Sequence, residues 1–184
     1  MERLRKVHIV GGAGSGKTTL ARLLSEELRV PAYDLDTVGY EGGAGPKRPL
    51  QAKLADVQRI ANQRGWVTEG VFLGWTEEFF QRSDAIIWLD LPFSLAAWRI
   101  FLRHLKGELA GTNQHPGWRT LGRFLWDVRR YHTSESLEPR ALDDDAAVTR
   151  DATERALQPW SSKVLVCHRS ADVRQLMASF LQRE

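Results

Sequence analysis

The run Lys6-Val7-His8-Ile9-Val10 passes directly into Gly11-Gly12-Ala13-Gly14-Ser15-Gly16-Lys17-Thr18. It fits the pattern G-x-x-x-x-G-K-[ST], and few other sequences restrict a chain so narrowly. The glycines let the backbone turn with its N–H groups inward, where they can ring a phosphate that side chains would exclude. A helix opening at Lys17 adds its partial positive charge at the same place. Lys17 is placed to neutralise the terminal phosphates of a nucleoside triphosphate, and the Thr18 hydroxyl to hold Mg²⁺. The nucleotide-contacting run is Gly11, Gly12, Ala13, Gly14, Ser15, Gly16, Lys17, Thr18 and Thr19. Chance alone gives the pattern in roughly 0.4 % of chains of this composition. A β-rich run before it and an amphipathic helix after it lower that figure further.

The rest of the 184-residue chain repeats this alternation of short β-rich runs and amphipathic helical stretches, the pattern of a parallel sheet covered on both faces. Strands are expected at Lys6–Val10, Pro31–Leu35, from Trp66, at Ala85–Leu89 and at Lys163–Cys167. Helices are expected from Lys17, from Leu50 and after Ala171. Between strands four and five two further helices, about Pro92–Lys106 and Gly117–Tyr131, are joined by a polar loop. There is no internal repeat and no linker, so one domain over 1–184 is expected. The longest apolar run, Ala85–Leu89, is far too short for a membrane span. The glycine-rich turn so soon after MERLRKVHIV leads to the expectation of no signal peptide. With a single cysteine, Cys167, a cytoplasmic protein without disulfides is expected.

Mg²⁺ at such a site needs further oxygen ligands, usually from an acid at the end of a neighbouring strand. Glu69 and Asp90 are the candidates. Asp90 precedes Leu91-Pro92 and could equally cap the coming helix. Glu69 has no helix to cap, which makes it the preferred partner of Thr18 for the metal. Asp34 and Asp36 flank Leu35 and would point to one side of an extended segment, facing the crevice beyond strand two where ligands of such sheets sit. A solvated turn is the alternative for that pair.

The charge is unevenly distributed. The net charge is +3, with twenty arginines and six lysines. Phe93–Tyr131 carries seven basic residues against two acids, whereas Thr133–Glu154 carries seven acids against two arginines. This segregation argues for a local polyanion site over a general nucleic-acid binder, with two solvated faces as the alternative. Arg99, Arg103 and Lys106 recur at helical spacing, as do Arg119, Arg123 and Arg130. A mobile arginine lid of this kind stabilises charge that builds up during phosphoryl transfer and expels water. The segment Lys106–Pro116 is expected to order when triphosphate binds. Trp98, Trp118 and Trp126 are expected to be packing residues.

GGAGSGKTT, YDLD, GWVTEG, AIIWLDLP and the terminal KVLVCHRSADVRQLM resemble the P-loop kinases of the nucleoside monophosphate kinase superfamily. Within it, the sequence is most similar to the bacterial adenylate-kinase-like proteins known as DNA topology modulation proteins. The resemblance implies a three-layer α/β/α fold with a five-stranded sheet of order 2-3-1-4-5. It also implies an acceptor-binding segment at 36–64, an arginine lid at about 99–132, and a loop His168–Ala171, with Arg169, near the nucleotide base. ATP and Mg²⁺ are the implied cofactors. Two departures matter. Adenylate kinases follow the acid of strand three with Gly-Phe-Pro-Arg, whereas here Glu69 is followed by Gly70-Val71-Phe72-Leu73. The acceptor loop offers only Lys47 and Arg48. The Asp-Leu-Asp also resembles shikimate kinase, in which an acid at this place orients or deprotonates a hydroxyl.

The expected function is therefore an ATP-dependent kinase acting on a small molecule. A hydroxyl acceptor is slightly favoured over a nucleoside monophosphate. Lys17, Asp36, Arg99 and Arg103 would be catalytic, with Asp34, Asp36, Arg48 and Glu69 at the acceptor. A nucleotide-binding regulator or nucleic-acid-associated ATPase is the alternative, although no nucleic-acid-binding motif is present. A monomer or homodimer is expected, with no membrane partner.

Overall fold

In the computed structural model, which describes residues 4–111, 117–135 and 138–181, five parallel strands lie in the order β2-β3-β1-β4-β5. They are β1 (Lys6–Gly11), β2 (Ala32–Asp34), β3 (Trp66–Gly70), β4 (Ala85–Leu89) and β5 (Val164–Cys167). The helices are α1 (Lys17–Leu28), α2 (Leu35–Gly39), α3 (Leu50–Ala61), α4 (Glu77–Arg82), α5 (Phe93–Leu109), α6 (Trp118–Thr133), α7 (Arg150–Leu157) and α8 (Ser170–Leu181). The order is the expected one. Its consequence is that the ends of β1, β2 and β3 open on one crevice, with Ile9 opposite Glu69 and Asp34 opposite Glu69 in register.

Both faces of the sheet are covered, and β1 shows why its strands are continuously apolar. Val7 and Ile9 pack with Leu20, Leu24 and Phe180 from α1 and α8. Val10 packs on the opposite face with Phe80, Ile86, Trp88 and Leu157. Alternate residues thus enter two separate cores, and no solvated face remains to require polar residues. His8 lies on the second face, fully buried, with its ring 4.9 Å from that of Phe80 and Nδ1 2.8 Å from Thr68 Oγ1.

Helices α4 and α7 were not expected, and the structure departs from expectation at three further places. β2 ends at Asp34, and Leu35 opens the short helix α2. The Asp34 carboxylate caps that helix by accepting from Asp36 N–H at 2.9 Å, so the two acids are not aligned by strand alternation. Helix α5 runs past Lys106 through Gly107 to Leu109. One interior glycine costs only about 1 kcal/mol, too little to end a helix, and termination waits for Gly111 at φ 64°. Finally, Trp98, Trp118 and Trp126 are exposed, at 56 %, 61 % and 61 %, instead of packed. The seam between α5 and α6 is built from Ala96, Ile100, Leu121 and Val128, which leaves the tryptophans on outer surfaces.

The segment expected to order with triphosphate, Lys106–Pro116, is described only as far as Gly111, and 112–116 lie outside the described residues. Among the described residues no helix is long and apolar enough to cross a membrane.

Candidate phosphate-transfer site

The loop between β1 and α1 adopts a conformation suited to an anion. Gly14 and Gly16 take φ values of 77° and 98°, in the left-handed region that side chains avoid. Gly16 forms the N-cap of α1 with no side-chain cap, which leaves the first-turn N–H groups free to meet an incoming oxygen. Ser15 Oγ is buried there without a hydrogen-bond partner among the described residues. Lys17 is half-buried, and its Nζ donates to Gly12 O at 3.1 Å. Burial pulls the Lys17 ammonium below its ordinary pKa, against the opposing pull of Glu69, Asp36 and Asp34. Open glycines, an uncapped helix start, an orphaned hydroxyl and a desolvated lysine all fit the phosphates of ATP.

The proposed metal pair is in direct contact. Thr18 Oγ1 donates to Glu69 Oε1 at 2.6 Å, across 51 residues of sequence. Two hard oxygen donors side by side suit Mg²⁺, which takes few protein ligands and fills its other positions with water and phosphate oxygens. Burial raises the Glu69 carboxyl pKa, while the Thr18 hydroxyl and Lys17 oppose the rise. Asp36 is also raised, first by burial and then by Asp34, with Lys17 opposing. Asp34, Asp36, Glu69 and Lys17 therefore share one electrostatic neighbourhood at the mouth of the loop.

Among the arginines, Arg99 reaches the loop directly. Its Nη1 donates to Ser15 O at 2.8 Å and its Nη2 to Ser170 Oγ at 3.0 Å, joining α5, the phosphate loop and the start of α8. Arg103 lies near enough to add to the downward push on Lys17. Arg169 is exposed and pairs with Asp172 at 3.2 Å. Arg48 is not free for an acceptor: it donates to Val38 O at 2.9 Å and pairs with Asp56 at 2.9 Å.

Two relationships had no signal in the sequence: the placement of Tyr131 and the partner of Asp90. Tyr131 of α6 lies over the loop, and a Cβ on Gly12 would stand 2.8 Å from its Cε1. Ring packing leaves no motif. The second is Asp90, which caps no helix, since Pro92 occupies the N-cap of α5. Its carboxylate is instead gripped by Arg150 through two bonds of 2.7 Å. The acid-rich stretch after α6 is likewise engaged: Asp145 accepts from Tyr40 and pairs with Lys47, and Asp143 pairs with Lys53.

No family model and no curated protein sequence matches the chain. Solved structures do match. Shikimate kinase from Acinetobacter baumannii, in complex with shikimate, aligns at a TM-score of 0.55 and 16 % identity, over 98 % of this chain and 93 % of that one. A gluconokinase from Sinorhizobium meliloti 1021 aligns at 0.52 and 14 %, over 100 % of both chains. With its strand order and its glycine loop, this chain has the three-layer α/β/α fold of the P-loop kinases.

Proposed function

We propose that the chain is an ATP-dependent phosphotransferase of the nucleoside monophosphate kinase superfamily that phosphorylates a hydroxyl group of a small molecule. The carrying observation is the shared neighbourhood of Lys17 and Asp36: a phosphate-directed ammonium beside a carboxyl whose pKa is raised by burial. A raised pKa makes Asp36 a stronger proton acceptor than an ordinary aspartate, as activation of a hydroxyl requires. Two solved structures of this fold are by name a shikimate kinase and a gluconokinase, and the first holds shikimate.

In this reading the acceptor lies between Asp36 and the loop, within the segment 36–64. Its oxygen forms a bond to the γ-phosphorus as the bond to the ADP oxygen breaks, and its proton passes to the Asp36 carboxylate. Lys17, Arg99 and Arg103 hold the charge that spreads over the phosphoryl oxygens. Thr18 and Glu69 would hold Mg²⁺, which when bound would screen the phosphates. Asp34 positions Asp36 through its bond to the Asp36 N–H. Residues 99–132 act as the lid, and Arg169 borders the base of the nucleotide.

ADP release, measured with ATP and Mg²⁺ against a panel of hydroxylated metabolites and nucleoside monophosphates, tests this. Turnover on a hydroxyl compound that ceases when Mg²⁺ is chelated is expected. Turnover confined to nucleoside monophosphates, or none with any acceptor, counts against it.

A further inference from the structure

The cations on the acceptor side of the crevice are already engaged. The acceptor segment brings Lys47, Arg48 and Lys53 to this end of the sheet. Lys47 pairs with Asp145 at 2.9 Å and also donates to the Asp143 carbonyl. Arg48 is shared between Asp56 and the Val38 carbonyl. Lys53, only 1 % exposed, pairs with Asp143 at 2.6 Å and lies over the Trp75 ring. Asp143 and Asp145 reach Lys47 and Lys53 from the loop between α6 and α7, close to a hundred residues away in sequence.

The carboxylates are not matched in the same way. Asp34 accepts from a backbone N–H, which is neutral and leaves its charge uncompensated and its other oxygen open. Asp36 has Lys17 as its near cation, and Lys17 is committed to phosphate in the proposed reaction. Glu69 is bound to the Thr18 hydroxyl. An incoming carboxylate or phosphate therefore meets Asp34 and Asp36 while Lys47, Arg48 and Lys53 are held elsewhere. A hydroxyl or an ammonium can donate to both aspartates.

Resting on the kinase reading above, we infer that the acceptor carries no negative charge. It is an uncharged or amine-bearing polyhydroxyl compound, not a sugar acid, a sugar phosphate or a nucleoside monophosphate. Repulsion of a partly desolvated anion by two carboxylates amounts to about tenfold or more in specificity.

The experiment uses the whole chain with ATP and Mg²⁺ and acceptors in matched pairs: glucitol with gluconate, glucose with glucuronate, adenosine with adenosine monophosphate, and glucosamine as the amine-bearing probe. The expected result is a kcat/KM at least tenfold higher for the uncharged or amine-bearing member. Equal or better turnover of the anionic members overturns the inference and leaves the kinase reading standing. If nothing is turned over, thermal protection by the same compounds is measured with a non-hydrolysable ATP analogue and Mg²⁺ present. Protection by the uncharged or amine-bearing members supports the acceptor class. Protection by the anionic members alone, or by none of them, overturns it. Failure of the ATP analogue itself to protect removes the parent kinase reading instead, so the two failures are distinct.

Discussion

Arg150 grips Asp90 through two parallel bonds of 2.7 Å, and the ring of Trp88 lies 5.5 Å beneath the guanidinium. Asp90 follows the end of β4 beside the phosphate loop, whereas Arg150 opens α7 beyond the acid-rich loop. This pair ties the region after α6 back onto the sheet. The Asp90 carboxylate is 5 % exposed and has His168 Nδ1 as a further neighbour at 3.2 Å. Arg150→Met should therefore leave a buried, poorly compensated charge and destabilise the fold by about 2–3 kcal/mol. Adding Asp90→Asn to that variant should recover part of the loss. Urea denaturation of both variants checks the asymmetry, and equal stability of the single and double variants counts against it.

Lys17→Ala should abolish turnover and weaken ATP binding while changing stability by less than about 1 kcal/mol. The side chain donates one hydrogen bond, to Gly12 O, and its ammonium is held partly desolvated, so its removal relieves a cost as it loses a bond. Calorimetric titration with ATP and a thermal melt give the two readouts. Unchanged turnover removes the phosphate-loop assignment.

Asp36→Asn should lower kcat on a hydroxyl acceptor by ~10²–10⁴-fold, with ATP affinity close to that of the parent chain. A base acts only when deprotonated. Because burial and Asp34 raise the Asp36 pKa, wild-type kcat should climb with pH through a titration above the ordinary aspartate range. The variant should lose that limb of the profile. A normal kcat on an identified hydroxyl acceptor would reduce Asp36 to a positioning residue.

His8 makes the fold acid-sensitive. Burial pushes its pKa down to about 3, against an ordinary value of 6.5. Between those values the unfolded chain binds a proton that the native chain refuses, so protonation favours unfolding and stability falls as pH drops below 6.5. At pH 5 this one group accounts for about 2 kcal/mol of lost stability. Parallel denaturation series of wild type and His8→Leu between pH 7 and 4.5 should give a flatter curve for the variant. Parallel curves would show that the imidazole is protonated in the folded chain.

The phosphate loop, α1 and the strands β1 and β4 were all readable in the residues themselves. Each rests on local rules: glycines permit the loop, leucine spacing makes the helix, and an unbroken apolar run means a strand covered on both faces. The likeness of the motifs to known kinases supplied the strand order, which composition does not contain. Other relationships were decided only by tertiary contact. Asp90 meets an arginine 60 residues away, and Tyr131 settles over Gly12 from a helix more than a hundred residues downstream. The exposed tryptophans of α5 and α6 have the same origin, since periodicity identifies an apolar stripe but not the width of the seam that buries it. Whether Lys47, Arg48 and Lys53 face an acceptor or a carboxylate is likewise invisible in their order along the chain. Arg48 finds Asp56 within its own segment, but the pairs that hold Lys47 and Lys53 form only once the acid-rich loop has folded against them, because charge acts through distance in space.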